Sequence, residues 1–230
     1  MKLSVVMPVY NEKATIRQII DKVLAVELDK ELIVVDDGST DGTREILEEL
    51  APGFGPEQDV HIYFLDRNRG KGSAVRYGIA RASGDALVVQ DADLEYDPEE
   101  FHNLLEPYNK GRAAVVYGSR FLGGHRTLYY WTTLGNKFLT WLTNVIYNTN
   151  LTDMETCYKL FSLEVLREIT LKCQRFDFEP EVTAKILKRG VHIYEVPISY
   201  MGREYSEGKK IGATDAWEAV KTLVKYRFMD

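Results

Sequence analysis

The run Ala86-Leu87-Val88-Val89-Gln90-Asp91-Ala92-Asp93 decides the fold. Four apolar residues with Gly84 just upstream and Pro98 downstream read as a short buried strand. Buried parallel strands are apolar on both faces, so the first charged side chains mark where the chain leaves the core. In open α/β sheets, ligands settle just beyond such carboxyl ends. Alternate side chains point the same way, so Asp91 and Asp93 can share one hard divalent cation through oxygen ligands. A lone Asp-X-Asp is more often a solvated turn, and the weight of this one depends on its neighbours.

Upstream, two more strand ends carry polar loops, which with Asp91 and Asp93 makes three along one rim. Residues 3–9 form a β-rich run, with Pro8 expected where ladder pairing ends, and Tyr10-Asn11-Glu12 follows. Residues 14–26 place Ile16, Ile19, Ile20, Val23 and Leu24 at helical spacing. The second strand, 31–35, runs into Asp36-Asp37-Gly38-Ser39-Thr40-Asp41-Gly42, where Ser39, Thr40 or Asp41 can cap a helix starting near Thr43. A third strand, 61–65, leads to Asp66-Arg67-Asn68-Arg69-Gly70-Lys71-Gly72 and a helix carrying Ala74, Val75, Tyr77, Gly78, Ile79 and Ala82. Strands alternating with helices at this pitch predict an α/β fold with a mostly parallel, doubly wound sheet and right-handed crossovers. No Walker-type lysine loop is present, and Gly70-Lys71-Gly72 alone is a weak nucleotide signal.

The 230 residues are 45% hydrophobic and 28% charged, with a formal net charge of −6. That suits one large domain with a sizeable core and argues against general nucleic-acid binding. Cys157 and Cys173 lack metal-ligand spacing and are too few for a disulfide framework. With no secretory pattern after Met1, a reducing cytoplasmic setting is expected and the Asn150-Leu151-Thr152 sequon is taken as accidental. No window reaches the roughly 20 apolar residues that span a bilayer, so a soluble or peripheral chain without its own anchor is expected. His61, His102 and His192 have no partner at metal-ligand spacing.

Four blocks carry a resemblance: Val6-Met7-Pro8-Val9-Tyr10-Asn11-Glu12, Val34-Val35-Asp36-Asp37-Gly38-Ser39-Thr40-Asp41-Gly42, Asn68-Arg69-Gly70-Lys71-Gly72 and Asp91-Ala92-Asp93-Leu94. Together, and in this order, they resemble the family 2 glycosyltransferases, most closely the dolichol-phosphate mannose synthase group. The resemblance implies a single GT-A type domain over 1–230, with 1–95 as the nucleotide-sugar half and 96–230 as the acceptor half. It implies transfer of a sugar, mannose from GDP-mannose foremost, to a dolichyl or polyprenyl phosphate with inversion. A UDP-sugar donor such as UDP-glucose, a hydroxyl acceptor, and an inactive membrane- or partner-binding subunit remain as alternatives. Asp91, Asp93 and Glu95 would hold Mg²⁺ or Mn²⁺. Pro8, Tyr10, Glu12 and Asp37 would line the base and ribose, with Val35, Lys71 and Ala92 also assigned to substrate binding. Arg120, Arg203 and Lys209 would contact phosphates.

In the second half, Pro98 suits the first position of a helix and Glu99 and Glu100 suit its dipole. Residues 113–117 form a strand delivering Gly118-Ser119-Arg120, whose guanidinium fork fits a pyrophosphate. Residues 128–147 are strongly apolar, with Lys137 the one strong base, and Gly135-Asn136 is expected to break or bend the segment. It packs a core or a homodimer interface, meets a membrane-anchoring partner, or lies at a membrane surface against a polyprenyl chain. Strand-like Leu160-Phe161, a helix over 182–188, a strand over 192–199 and an amphipathic helix over 213–228 with Trp217, Val220, Leu223 and Val224 on one side complete the chain. The basic loop Arg203-Ser206-Lys209-Lys210 is expected, by resemblance, to close over phosphates. A hydroxyl acceptor would need a carboxylate base, with Asp153 foremost and Glu155, Asp177 and Glu179 behind it. A phosphate acceptor would not. Two departures stand out. Glu95 replaces the Gln common in the group, and Asp153-Met154-Glu155-Thr156-Cys157-Tyr158-Lys159 differs from the usual Asp-X-X-Ser-Gly-Phe-Arg. A sugar nucleotidyltransferase would want a glycine-rich basic loop where Tyr10-Asn11-Glu12 stands. A receiver-type domain would be much shorter.

Overall fold

A computed structural model describes residues 1–126, 129–203 and 213–229, apart from the side chain of Ala213. Four parallel strands come first: β1 (Leu3–Val9), β2 (Lys30–Asp36), β3 (Val60–Phe64) and β4 (Ala86–Val89). They alternate with α1 (Ile16–Ala25), α2 (Thr43–Leu50) and α3 (Lys71–Ile79). Then follow α4 (Phe101–Asn109), β5 (Val115–Ser119), α5 (Tyr130–Tyr147), β6 (Lys159–Ser162), α6 (Leu163–Arg167), α7 (Phe178–Lys188), β7 (Ile193–Pro197) and α8 (Ala213–Phe228). The seven-stranded sheet has the order β3-β2-β1-β4-β6-β5-β7. Only β6 runs against its neighbours, pairing antiparallel with both β4 and β5.

Strand alternation sorts the core into two layers. Val6, Ile33, Val35, Leu87 and Val89 face Ala74 and Val75 of α3 and Val182 and Ile186 of α7. Leu3, Val5, Met7, Leu32, Val34, Ala86 and Val88 face Ile16, Ile19, Ile20 and Val23 of α1 and Phe101, Leu104 and Leu105 of α4. This is the doubly wound arrangement that the continuous apolar strands imply. At Gly78 the helix α3 lies so close to β1 that a Cβ would stand 2.4 Å from Val6 Cγ1.

Several elements differ from the sequence expectation. α5 runs without a break through Gly135-Asn136, because two poor helix formers are too few to interrupt eighteen residues whose inner side packs on α7 and α8. α7 starts at Phe178 and not at Val182. Pro180 falls in its first turn, where no intrahelical donor is required of it. In α8 the buried side is Ala219, Thr222, Leu223 and Tyr226, whereas Trp217 and Val224 face out. The helix α2 begins at Gly42 (φ 101°), with Asp41 Oδ1 accepting from Thr43 N at 3.0 Å.

Candidate active site

The exits of β1, β2 and β3 are stitched together by their polar residues. Asn11 N donates to Ser39 Oγ (3.0 Å), and Thr40 N donates back to Asn11 Oδ1 (2.9 Å). Glu12 N donates to Thr43 Oγ1 (2.9 Å). The carboxylate of Asp37 accepts from Arg69 N (2.8 Å) and Gly70 N (2.7 Å), one oxygen each, and burial raises its pKa. Gly70 (φ 91°) lies under the carbonyl of Gln174, where a Cβ would meet the oxygen at 2.3 Å. Of the expected substrate-lining residues, Pro8 and Tyr10 are partly exposed, while the side chains of Val35 and Ala92 are buried in the core.

The two acids after β4 have different surroundings. Lys71 Nζ lies 2.9 Å from Asp91 Oδ1, 3.0 Å from Glu179 Oε1 and 2.9 Å from Cys157 Sγ. Despite burial, the carboxylates of Asp91 and Glu179 raise the Lys71 pKa well above its ordinary value. Lys71 is therefore a fixed charge, and it gathers β4, α7 and the segment before β6. Asp93 faces Arg203 instead, with Nη2 3.1 Å from Asp93 Oδ2. Arg203 also meets Glu12, Nη1 to Oε2 at 3.1 Å, and its backbone N donates to Glu95 Oε1 at 2.7 Å. Leu94 adopts φ 63°, a left-handed conformation unusual for a residue with a Cβ. Glu95 N donates to Asp93 Oδ1 (3.1 Å) across it, so both acids turn toward the same arginine. Burial and the adjacent carboxylates of Asp91 and Glu95 push Asp93 up to about 7. Glu12, Asp93 and Arg203 line a cleft of about 880 Å³, together with Asn11, Asp41 and Arg126 among others.

On the far side of β4, Arg120 and Asp153 form a bidentate pair, Nε–Oδ2 2.7 Å and Nη2–Oδ1 2.8 Å. Arg120 N adds a third bond to Oδ2 at 3.0 Å. Asp153 is fully buried and Arg120 is 12% exposed. Below them stack Tyr96, Tyr158 and Tyr200, with the Tyr96 centroid 4.7 Å from Tyr158 and 5.2 Å from Tyr200. Tyr200 OH donates to Glu95 Oε2 (2.7 Å), and Cys157 N donates to Tyr96 OH (3.2 Å).

The structure thus brings Glu12, Asp93, Glu95 and Arg203 together, and beside them Asp91 with Lys71. It sets Arg120 and Asp153 against each other, and Lys209 lies outside the described residues. The bonding of Lys71 to Glu179 and Cys157, and of Arg120 to Asp153, was not among the sequence expectations. No local pattern signals contacts 108, 86 and 33 residues apart. At the opposite, amino-terminal edge of the sheet, Glu31, Asp59 and His61 offer ligand atoms within 4.8 Å of one another. Lys2 Nζ is already there, 2.8 Å from Asp59, and Glu31 accepts from Ser4 and Ser83. Among the described residues, no helix is long and apolar enough to cross a membrane.

This rim of carboxylates at the ends of parallel strands belongs to a GT-A glycosyltransferase fold. The chain superimposes over its whole length on glucosyl-3-phosphoglycerate synthase from Mycobacterium tuberculosis, solved with Mn²⁺, uridine diphosphate and glucosyl-3-phosphoglycerate. The TM-score is 0.76 at 21% identity, covering 81% of that chain. More particularly, the chain belongs to glycosyl transferase family 2, whose model matches residues 4–170, and it is a glycosyltransferase. It is 29% identical over 98% of its length to an undecaprenyl-phosphate mannosyltransferase of Micrococcus luteus, spanning 94% of that protein. It is 30% identical over 91% of its length to a polyprenol monophosphomannose synthase of Mycolicibacterium smegmatis, spanning 81% of it.

Proposed function

We propose that this glycosyltransferase moves a sugar from a nucleoside diphosphate sugar, foremost mannose from GDP-mannose, to a polyprenyl phosphate. The observation that carries the reading is the convergence of Glu12, Asp93 and Glu95 on Arg203 at the end of β4, the first two bonded to its guanidinium and Glu95 to its backbone N, with Nε 3.9 Å away. An all-carboxylate donor set that already encloses a positive charge suits Mg²⁺ or Mn²⁺. Asp93 and Glu95 of this set, joined by Asp91, whose oxygens Lys71 holds in this structure, would hold the ion, which would supply positive charge against the departing diphosphate.

The chain's own residues account for the rest. The acceptor phosphate is a dianion near neutral pH and attacks the anomeric carbon directly, displacing the nucleoside diphosphate with inversion. No carboxylate base is needed, which agrees with both oxygens of Asp153 being committed to Arg120. In this reading Asp153 is a positioning residue, and it aims the Arg120 fork at phosphate. Arg203, once released from the acids, turns its guanidinium to the second phosphate. Pro8, Tyr10, Glu12 and Asp37 line the base and ribose, and Lys209 joins the phosphates.

The outer side of α5 supports a lipid acceptor. Tyr130, Trp131, Leu134, Phe138, Trp141 and Val145 are all at least 44% exposed, and Lys137 is the one charge in the helix. Such an aromatic stripe suits the headgroup boundary of a bilayer, so peripheral binding at the cytoplasmic membrane face is part of the proposal. The test is product formation from GDP-mannose and, separately, UDP-glucose, each with a short polyprenyl phosphate and Mn²⁺. Glycolipid from GDP-mannose that is lost in Asp93→Asn supports the reading. Glycolipid from UDP-glucose alone corrects the donor. Turnover only with a hydroxyl acceptor refutes the lipid phosphate.

A further inference from the structure

The segment 153–158 turns at Met154 and Glu155 on its way into β6. Asp153 binds Arg120. Cys157 touches Lys71 at 2.9 Å and Glu179 at 3.5 Å. Between them stands Glu155, whose Oε1 is inaccessible to solvent and has no hydrogen-bond partner. The backbone there is clamped from below. Buried Lys159 donates from Nζ to the carbonyls of Met154 (2.7 Å) and Thr156, on either side of Glu155. A rigid loop therefore holds one unsatisfied acceptor between the Arg120–Asp153 pair and the Lys71–Asp91–Glu179 group.

We infer that Glu155 accepts a hydrogen bond from a hydroxyl of the sugar being transferred and so determines which sugar the enzyme takes. This rests on the function proposed above, with the sugar placed between the acids after β4 and Arg120. A buried acceptor with no partner costs free energy that an incoming hydroxyl recovers, and a sugar lacking that hydroxyl leaves the cost in place. Burial, together with the Glu179 carboxylate, pushes the Glu155 carboxyl up to about 7, the sign of an anion short of donors. Lys159 and Arg120 act the other way, but each is already engaged, Arg120 by Asp153 and Lys159 by backbone carbonyls.

The experiment compares binding and turnover of GDP-mannose, UDP-glucose and their monodeoxy counterparts in wild type, Glu155→Gln and Glu155→Ala. GDP and UDP serve as sugar-free probes. Wild type is expected to lose about 100-fold in kcat/KM with one particular deoxy sugar, the order expected for one unsatisfied buried group. In Glu155→Ala that discrimination falls to within about threefold. Glu155→Gln, which keeps an acceptor oxygen, retains part of it. Nucleoside diphosphate affinity stays within about twofold in both variants, which separates a sugar contact from a damaged fold. Discrimination that survives in both variants, with kcat alone reduced, overturns the role and marks Glu155 as a base or a structural group. A wild type that binds GDP or UDP but turns over no nucleotide sugar refutes the functional reading, and this role with it.

Discussion

Replacing Asp153 separates a positioning carboxylate from a catalytic base. The wild-type carboxylate accepts three bonds from Arg120, at 2.7, 2.8 and 3.0 Å, with none of its surface exposed. Removing one partner of a buried pair leaves the other charge uncompensated, at about 3–5 kcal/mol. For a chain of this size that is about 10 °C in Tm for Asp153→Ala. Asp153→Asn keeps the shape and one acceptor oxygen for Arg120 but loses the charge, so about half that loss is expected. The assay is urea unfolding followed by far-UV circular dichroism, run beside transfer to a polyprenyl phosphate. Both variants are expected to lose stability. Activity in Asp153→Asn falls about as far as in Arg120→Lys, because both spoil the same bidentate geometry. If Asp153→Asn unfolds at the wild-type midpoint yet abolishes transfer, the pair is not what holds Arg120, and Asp153 acts as a base.

Other expectations follow from the same geometry. Arg203→Ala removes the guanidinium that pairs with Glu12 and Asp93 and lies 3.9 Å from Glu95, so Mn²⁺ should bind about tenfold more tightly by electron paramagnetic resonance titration even as transfer declines; unchanged or weaker binding contradicts the competition. Glu155 has a folded-state pKa of about 7 against an ordinary 4.5. Below pH 4.5 it is protonated in both states and has no effect on stability. Between 4.5 and 7 the unfolded chain releases the proton first, so stability drains as pH rises. The Tm of Glu155→Gln should therefore gain on wild type across that interval and level off above it, and a pH-independent gap would show that Glu155 is not held protonated. Gly78→Ala drives a methyl to 2.4 Å from Val6 Cγ1, and overpacking of this kind costs about 1–3 kcal/mol by urea unfolding. Trp131→Ser with Trp141→Ser strips two rings that are 78% and 57% exposed; liposome co-sedimentation should drop several-fold with the unfolding midpoint unchanged, whereas equal sedimentation would detach this side of α5 from the membrane.

The first half was largely legible because its evidence is local. Apolar runs that end in Asp36-Asp37 or Asp91-Asp93 announce strands and their exits by residue type alone, and β1 to β4 emerge where those runs lie. The second half was less so. Leu160-Phe161 signals a strand but not its direction, which is set by pairing with β4 and β5. Gly135-Asn136 reads as a break, yet tertiary packing overrides two weak propensities. Trp217 and Val224 look like core at helical spacing, but the face that α8 buries is chosen by α5 and α7. Within the site, the acids were visible and their counter-ions were not. Nothing near Lys71 in the sequence indicates that it holds Asp91 and Glu179, or that Arg120 is spoken for by Asp153.

The reversal of β6 has a bearing on how such an enzyme changes its habits. A parallel strand hands its polar residues to the rim after it has crossed the sheet, so an altered exit loop tugs on the strand and on the helix that follows. Residues 153–158 arrive before their strand. They are pinned upstream where Glu195 accepts from Thr152 N and Asp153 N, and downstream by Lys159. Between those anchors Glu155 and Cys157 can be exchanged without touching the β1–β2–β4 ladder. Under the roles proposed above, taste for a new sugar can thus drift in six residues while the grip on the nucleotide, proposed for the other end of the chain, is inherited intact.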